Sequence, residues 1–206
     1  GFGPSLDEDS LGECGWKKFV VEMPNKSSDE WNIVGRESEL KRIAQILSRC
    51  DKNNVLIVGD PGVGKTALVR GFINKHSLPS RIARLKFYEM SVQTLMAGAQ
   101  YQGEIEQRVS AVMNGIKQQG GGIIIIDEEH DGSYESESNP RYSTIDIAKR
   151  RAQYNGCKLV IGSATPSIES YLSAKNKVYN LVKMPERINK RPLPEIIVAD
   201  MRQEVR

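Results

Sequence analysis

The segment Gly59-Asp60-Pro61-Gly62-Val63-Gly64-Lys65-Thr66 has the spacing G-x-x-x-x-G-K-[ST] of a phosphate-binding P-loop. It constrains the fold because such a loop needs a strand before it and a helix after it. Both are legible: the apolar run Val55-Leu56-Ile57-Val58 precedes the loop, and a helical stretch begins near Thr66. The glycines allow successive backbone N–H groups to turn inward around a polyphosphate, and the helix N-terminus adds its partial positive charge. This reading assigns Gly59 to Thr66, with Ala67 beyond them, to ATP binding. Lys65 is expected to reach the β- and γ-phosphates and the Thr66 hydroxyl to face Mg²⁺.

The rest of the chain alternates between strand and helix patterns. Leu40, Ile43, Ala44 and Leu47 recur at helical spacing, so 37–47 reads as an amphipathic helix. Helices are also expected from Lys65 to about Asn74, from Glu104 to Lys117, from Ile145 to Gln153, and from Ser167 to about Ala174. Strands are expected at Val55–Val58, Leu85–Tyr88, Ile123–Ile126 and Leu159–Ile161, with weaker candidates at Val178–Val182 and Glu195–Ala199. The four consecutive isoleucines read as a central parallel strand buried on both faces. Such alternation implies an α/β fold with a parallel sheet, where ligands bind beyond the carboxyl ends of the strands.

Two polar clusters sit at those ends. Asp127 follows the isoleucine run as a Walker B carboxylate, aimed at the metal that Thr66 would share. Glu128 comes next as the general base that orients water on the γ-phosphate. Lys65, Asp127 and Glu128 are therefore the catalytic candidates. Ser163 and Thr165 end the following strand. They read either as sensors of phosphate state or as a satisfied strand-end turn. His130 completes D-E-x-H and reads either as a coupling residue or as an ordinary turn histidine. Tyr101, between a strand and a helix, reads on the residues alone as a core or turn tyrosine.

Composition sets outer limits. The 206 residues are 39% hydrophobic and 27% charged, as in a soluble globular protein with one principal domain. No apolar run reaches membrane-spanning length and no signal peptide is visible at Gly1. Cys14, Cys50 and Cys157 have neither ligand nor disulfide spacing, which fits a reducing cytoplasm. Net charge is only +3, although the segment after Arg141 is basic. Lys149-Arg150-Arg151 reads best as a solvated helix face. Residues 1–30 read as an irregular acidic arm, 31–182 as the ATPase core, and 183–206 as an extended C-terminal segment.

Two resemblances can now be stated. Residues from about Trp31 to Glu128 resemble the first nucleotide-binding domain of Clp-type AAA+ unfoldases (ClpB, ClpA and ClpC). The resemblance rests on Ile33-Val34-Gly35-Arg36-Glu37-Ser38-Glu39-Leu40, Ile46-Leu47-Ser48-Arg49, Lys52-Asn53-Asn54, the P-loop, and Met96-Ala97-Gly98-Ala99-Gln100-Tyr101-Gln102-Gly103-Glu104. It implies that Val34 and Gly35 line an adenine pocket and that Tyr101 is the pore-loop aromatic that grips a threaded polypeptide. Glutamines flank Tyr101 where that family usually has basic residues.

Residues from about Ile123 to Arg206 resemble PriA, the replication-restart helicase of superfamily two. The matching segments are Ile126-Asp127-Glu128-Glu129-His130-Asp131-Gly132-Ser133-Tyr134, Pro140-Arg141-Tyr142, Gly162-Ser163-Ala164-Thr165-Pro166-Ser167, Met184-Pro185-Glu186-Arg187 and Leu193-Pro194-Glu195. This resemblance implies that Asp127–His130 form helicase motif II and Ser163-Ala164-Thr165 motif III, with DNA as partner.

Both families share a P-loop NTPase fold of three layers, which implies a sheet of order 5-1-4-3-2. A designed recombinant, a natural fusion and a composite reading frame would each give this join. Three functions follow: an unfoldase module that forms nucleotide-dependent oligomers, a DNA helicase fragment, or a chimera that binds ATP with little coupled work. Past residue 130 no lid, arginine finger or second motor lobe is recognisable. An arginine finger contributes about 10³–10⁵ in rate, so slow turnover is expected.

Overall fold

The computed structural model describes residues 15–24, 33–74, 78–127, 148, 151–152, 157–163 and 180–184. Among the described residues six strands form one sheet: β1 (Val20–Met23), β2 (Val55–Gly59), β3 (Lys86–Met90), β4 (Gly122–Asp127), β5 (Lys158–Ser163) and β6 (Asn180–Met184). Their spatial order is β1-β3-β4-β5-β2-β6. Leaving β1 aside and counting the other strands in chain order, the sheet reads 5-1-4-3-2 from the β6 edge. All of its pairings are parallel except that of β1 with β3.

The helices are α1 (Glu37–Leu47), α2 (Lys65–Ile73), α3 (Ser80–Ala83), α4 (Val92–Met96) and α5 (Gln102–Gln118). They separate the core into two apolar layers. Leu40, Ile43, Ile46 and Leu47 of α1 pack with Leu68, Val69, Phe72 and Ile73 of α2 against one face of the sheet. Ile105, Val109, Val112, Met113 and Ile116 of α5 cover the other face. The isoleucine run divides between them: Ile123 and Ile125 join the first layer, Ile124 and Ile126 the second. Strand side chains alternate between faces, so a continuous β-branched run is what a strand buried on both sides requires.

One region departs from expectation. Residues 15–23, read as part of an irregular arm, form a 3₁₀ turn (Gly15–Phe19) leading into β1. Strand β1 then pairs antiparallel with β3, Val20 opposite Met90 and Met23 opposite Phe87. The cause is local burial: Trp16 and Phe19 enter the α5 layer, and Trp16 meets Tyr88 edge-on at 5.8 Å between ring centroids. Helix α5 accommodates the indole at Gly115, where a Cβ would overlap Trp16 Nε1, Cε2 and Cδ1. The short helices α3 and α4 were also not expected. Strand β6 runs to Met184, two residues beyond the expected end of the core at 182. The expected strand 195–199 and the helix 167–174 lie outside the described residues.

Candidate nucleotide site and its relatives

The P-loop leaves β2 at Gly59 and enters α2 at Lys65. Gly62 and Gly64 have φ of 71° and 99°, the left-handed region that glycine enters at little cost. Gly64 caps α2, and its carbonyl accepts the Leu68 N–H at 2.8 Å. Gly59 is required for a different reason. A Cβ there would stand 2.7 Å from the Met184 carbonyl and 2.8 Å from Val63 Cγ1. The neighbouring strand β6 therefore presses directly on the start of the loop.

Lys65 is fully buried at 0% exposure. Its ammonium donates to the Gly59 carbonyl at 2.6 Å and to the Asp60 carbonyl at 2.9 Å. A buried cation needs hydrogen-bonding partners or a counter-charge. Here two loop carbonyls serve, so the charge is held beneath the loop that is expected to receive phosphate. Asp60, Pro61 and Gly62 are exposed, whereas Val63 is buried and anchors the turn. Thr66 and Ala67 are half-buried in the first turn of α2. A loop with two left-handed glycines, a helix N-terminus and a buried ammonium is a donor set suited to the phosphates of ATP.

The strand register brings the other candidates to the same end of the sheet. Strand β5 lies between β4 and β2, with Asp127 opposite Gly162 and Val58 opposite Ser163. Asp127 closes β4. Ser163 closes β5, fully buried, and its hydroxyl has no hydrogen-bond partner among the described residues. Glu128, His130 and Thr165 lie outside the described residues.

Val34 and Gly35 precede α1. Val34 is 70% exposed, and the Gly35 N–H donates to Glu37 Oε1 at 3.1 Å. In the first turn of α1, Glu39 pairs with Arg36 at 3.0 Å. Burial works to raise the Glu39 carboxyl, but hydrogen bonds from Ser38, its own backbone and Arg36 outweigh it and hold the group below its ordinary value. A groove of about 500 Å³ opens beside this turn, lined by Ser38, Glu39, Arg42 and β6 residues Leu181 to Lys183.

Tyr101 caps the start of α5 and is 55% exposed. Of the two readings that the residues alone allowed, core or turn, its exposure excludes the core. Sequence reading missed Arg108, which reaches back from α5 to the segment before Tyr101. Only an arginine one to two turns into the helix hinted at it. Among the described residues no group of His, Cys, Asp and Glu forms a metal cluster, and no helix is long and apolar enough to cross a membrane.

A mostly parallel sheet of this order, with a P-loop on the strand between β5 and β6, defines the P-loop AAA+ fold. Residues 55–150 match the family model "ATPase family associated with various cellular activities (AAA)". The chaperone protein ClpB of Malacoplasma penetrans is 31% identical over 209 aligned residues, covering 98% of this chain and 29% of that protein. The replication restart protein PriA of Bacillus subtilis is 48% identical over 85 residues, covering 41% of this chain and 11% of that protein. Among solved structures, the Hsp104–ADP complex of S. cerevisiae superposes with a TM-score of 0.63 at 22% identity, covering 82% of this chain and 24% of that one. The chain thus resembles both Clp-type proteins and PriA, and it spans less than a third of the length of each of these relatives.

Proposed function

We propose that this chain is the ATP-hydrolysing module of a Clp-type unfoldase, working in the cytoplasm on polypeptide. One observation carries the reading: Lys65 is buried beneath the P-loop with its ammonium held by the Gly59 and Asp60 carbonyls. In this reading Gly59 to Ala67 bind the phosphates of ATP, and Val34 and Gly35 border its base. The Thr66 hydroxyl and the Asp127 carboxylate would hold Mg²⁺, which supplies charge neutralisation at the β- and γ-oxygens. Lys65 adds positive charge where negative charge builds up in the transition state. Glu128, next in the chain to Asp127, orients water and draws its proton. Ser163, Thr165 and His130 report the phosphate state to the sheet. Tyr101 contacts polypeptide, and nucleotide-dependent homo-oligomers line several such loops around one substrate.

A second reading is favoured by the 48% identity to PriA over 85 residues. There the ATP site drives movement on DNA, with affinity falling as salt rises. The deciding experiment measures ATPase rate alone, with an unfolded polypeptide, and with single-stranded DNA. Stimulation by polypeptide supports the unfoldase module. Stimulation by DNA alone overturns it in favour of the helicase reading. A rate unmoved by both rejects coupling to either substrate and leaves a chimera that binds ATP.

A further inference from the structure

The segment joining α4 to α5 carries Tyr101 and contains Gly98 at φ 67°. A short exposed connection of this kind ordinarily samples many conformations. Here it is tied at both ends by α5. Arg108 Nη1 donates to the Leu95 carbonyl and to the Ala97 carbonyl, each at 2.7 Å. Glu104, at the third helical position, reaches back past the N-cap residue Tyr101 to accept the Gln100 N–H at 2.9 Å. Glu104 Oε1 also lies 3.7 Å from Arg108 Nη2, where the two side chains are only 21% and 16% exposed. The Ala97 and Ala99 N–H groups donate to Gln93 and Met96 carbonyls.

The guanidinium is itself seated. Its Cζ lies 5.4 Å from the centroid of the Phe19 ring, and Phe19 is buried in the α5 layer at the end of the 3₁₀ turn. Lys18 Nζ also lies near that ring, at 5.0 Å. Charge-assisted bonds from a planar fork are among the strong hydrogen bonds of proteins, and partial desolvation strengthens attraction to an aromatic face. The N-terminal 3₁₀ turn, α4 and α5 therefore converge on one side chain.

We propose that Arg108, seated on Phe19, is a positioning residue that clamps residues 95–101 and holds Tyr101 presented to solvent at the start of α5. The purpose of the clamp rests on the reading of Tyr101 as a polypeptide contact; its mechanical action does not. It makes the segment before β1 part of the Tyr101 apparatus.

The test is amide hydrogen exchange in the full chain, comparing residues 97–104 with strand β4 as internal reference. Arg108→Met keeps an apolar stem over Phe19 and removes the donors. It should speed exchange in 97–104 by about tenfold or more while β4 is unchanged. Arg108→Lys, with a single ammonium in place of the fork, should fall between the two, and Phe19→Leu should shift exchange in the same direction by less. Unchanged exchange in 97–104, or β4 accelerating equally, overturns the clamp. Tyr101→Ala, measured by polypeptide-stimulated ATPase, tests the substrate reading separately. Its failure would leave the exchange result standing.

Discussion

Ser163 lies opposite Val58 in the parallel pairing of β5 with β2, one residue before the P-loop opens at Gly59. The same strand pairs on its other side with β4, placing Asp127 opposite Gly162. One buried hydroxyl thus ends the strand that separates the P-loop strand from the strand that Asp127 closes. Burying a hydroxyl without a partner costs about 1–3 kcal/mol. Ser163→Ala is therefore expected to leave thermal stability unchanged or slightly raised. ATP turnover should nevertheless fall, by about tenfold for one lost transition-state hydrogen bond. Unaltered turnover would remove Ser163 from the site.

Lys65→Ala takes the donor away from the Gly59 and Asp60 carbonyls and the positive charge from the loop. Nucleotide affinity, read by titration with a fluorescent ATP analogue, should drop by about a hundredfold or more. Glu128→Gln should behave in the opposite way, retaining ATP while abolishing hydrolysis. Turnover that survives this change would show that another group activates the water.

Gly115→Ala tests the seat of the N-terminal turn. In most helix interiors this change stabilises by roughly 1 kcal/mol. At this site the new methyl overlaps the Trp16 indole, and overpacking costs about 1–3 kcal/mol. The variant should melt at lower temperature, and Trp16 emission should shift to the red as the ring leaves its pocket. A Trp31→Phe background isolates that signal.

Glu39 supplies a pH dependence with a definite sign. Its carboxyl is held below the ordinary value of 4.5, so folding binds fewer protons here than unfolding does. The stabilisation is present above pH 4.5 and is lost as pH falls through the lower folded value. Glu39→Gln should cost about 1–2 kcal/mol at neutral pH. Denaturant curves for variant and parent should converge in acid. A constant gap at all pH values would assign the effect to packing instead.

Much of the fold was readable because each core element carries its own signal. The helix 37–47 follows from four apolar residues at helical spacing, and its observed bounds agree. The order 5-1-4-3-2 was implied by the family resemblance, and the observed strand order agrees with it. Strand β1 escaped because four residues, Val20 to Met23, are too few for a periodic pattern, and acidic, glycine-rich sequence surrounds them. What stabilises β1 is distant in sequence: β3 lies some seventy residues on, and Gly115 makes room for Trp16. The site divides similarly. The P-loop is a local motif, and its setting between a strand and a helix was legible in full. The contact of Arg108 with Leu95, Ala97 and Phe19 depends on three segments meeting and has no local signature.

Strand β1 has a further consequence for how molecules meet one another. A bare sheet margin is a template for a second chain, and β3, with buried Phe87, Tyr88 and Met90, would be a sticky one. Four residues of β1 replace it with a shorter margin that ends at Pro24, which has no N–H to donate. Glu22 and Lys86, paired at 2.9 Å, add charge beside it. Truncation before Pro24 would thus do more than loosen the fold. It would expose a five-residue strand to cross-molecular pairing and turn the domain toward aggregation.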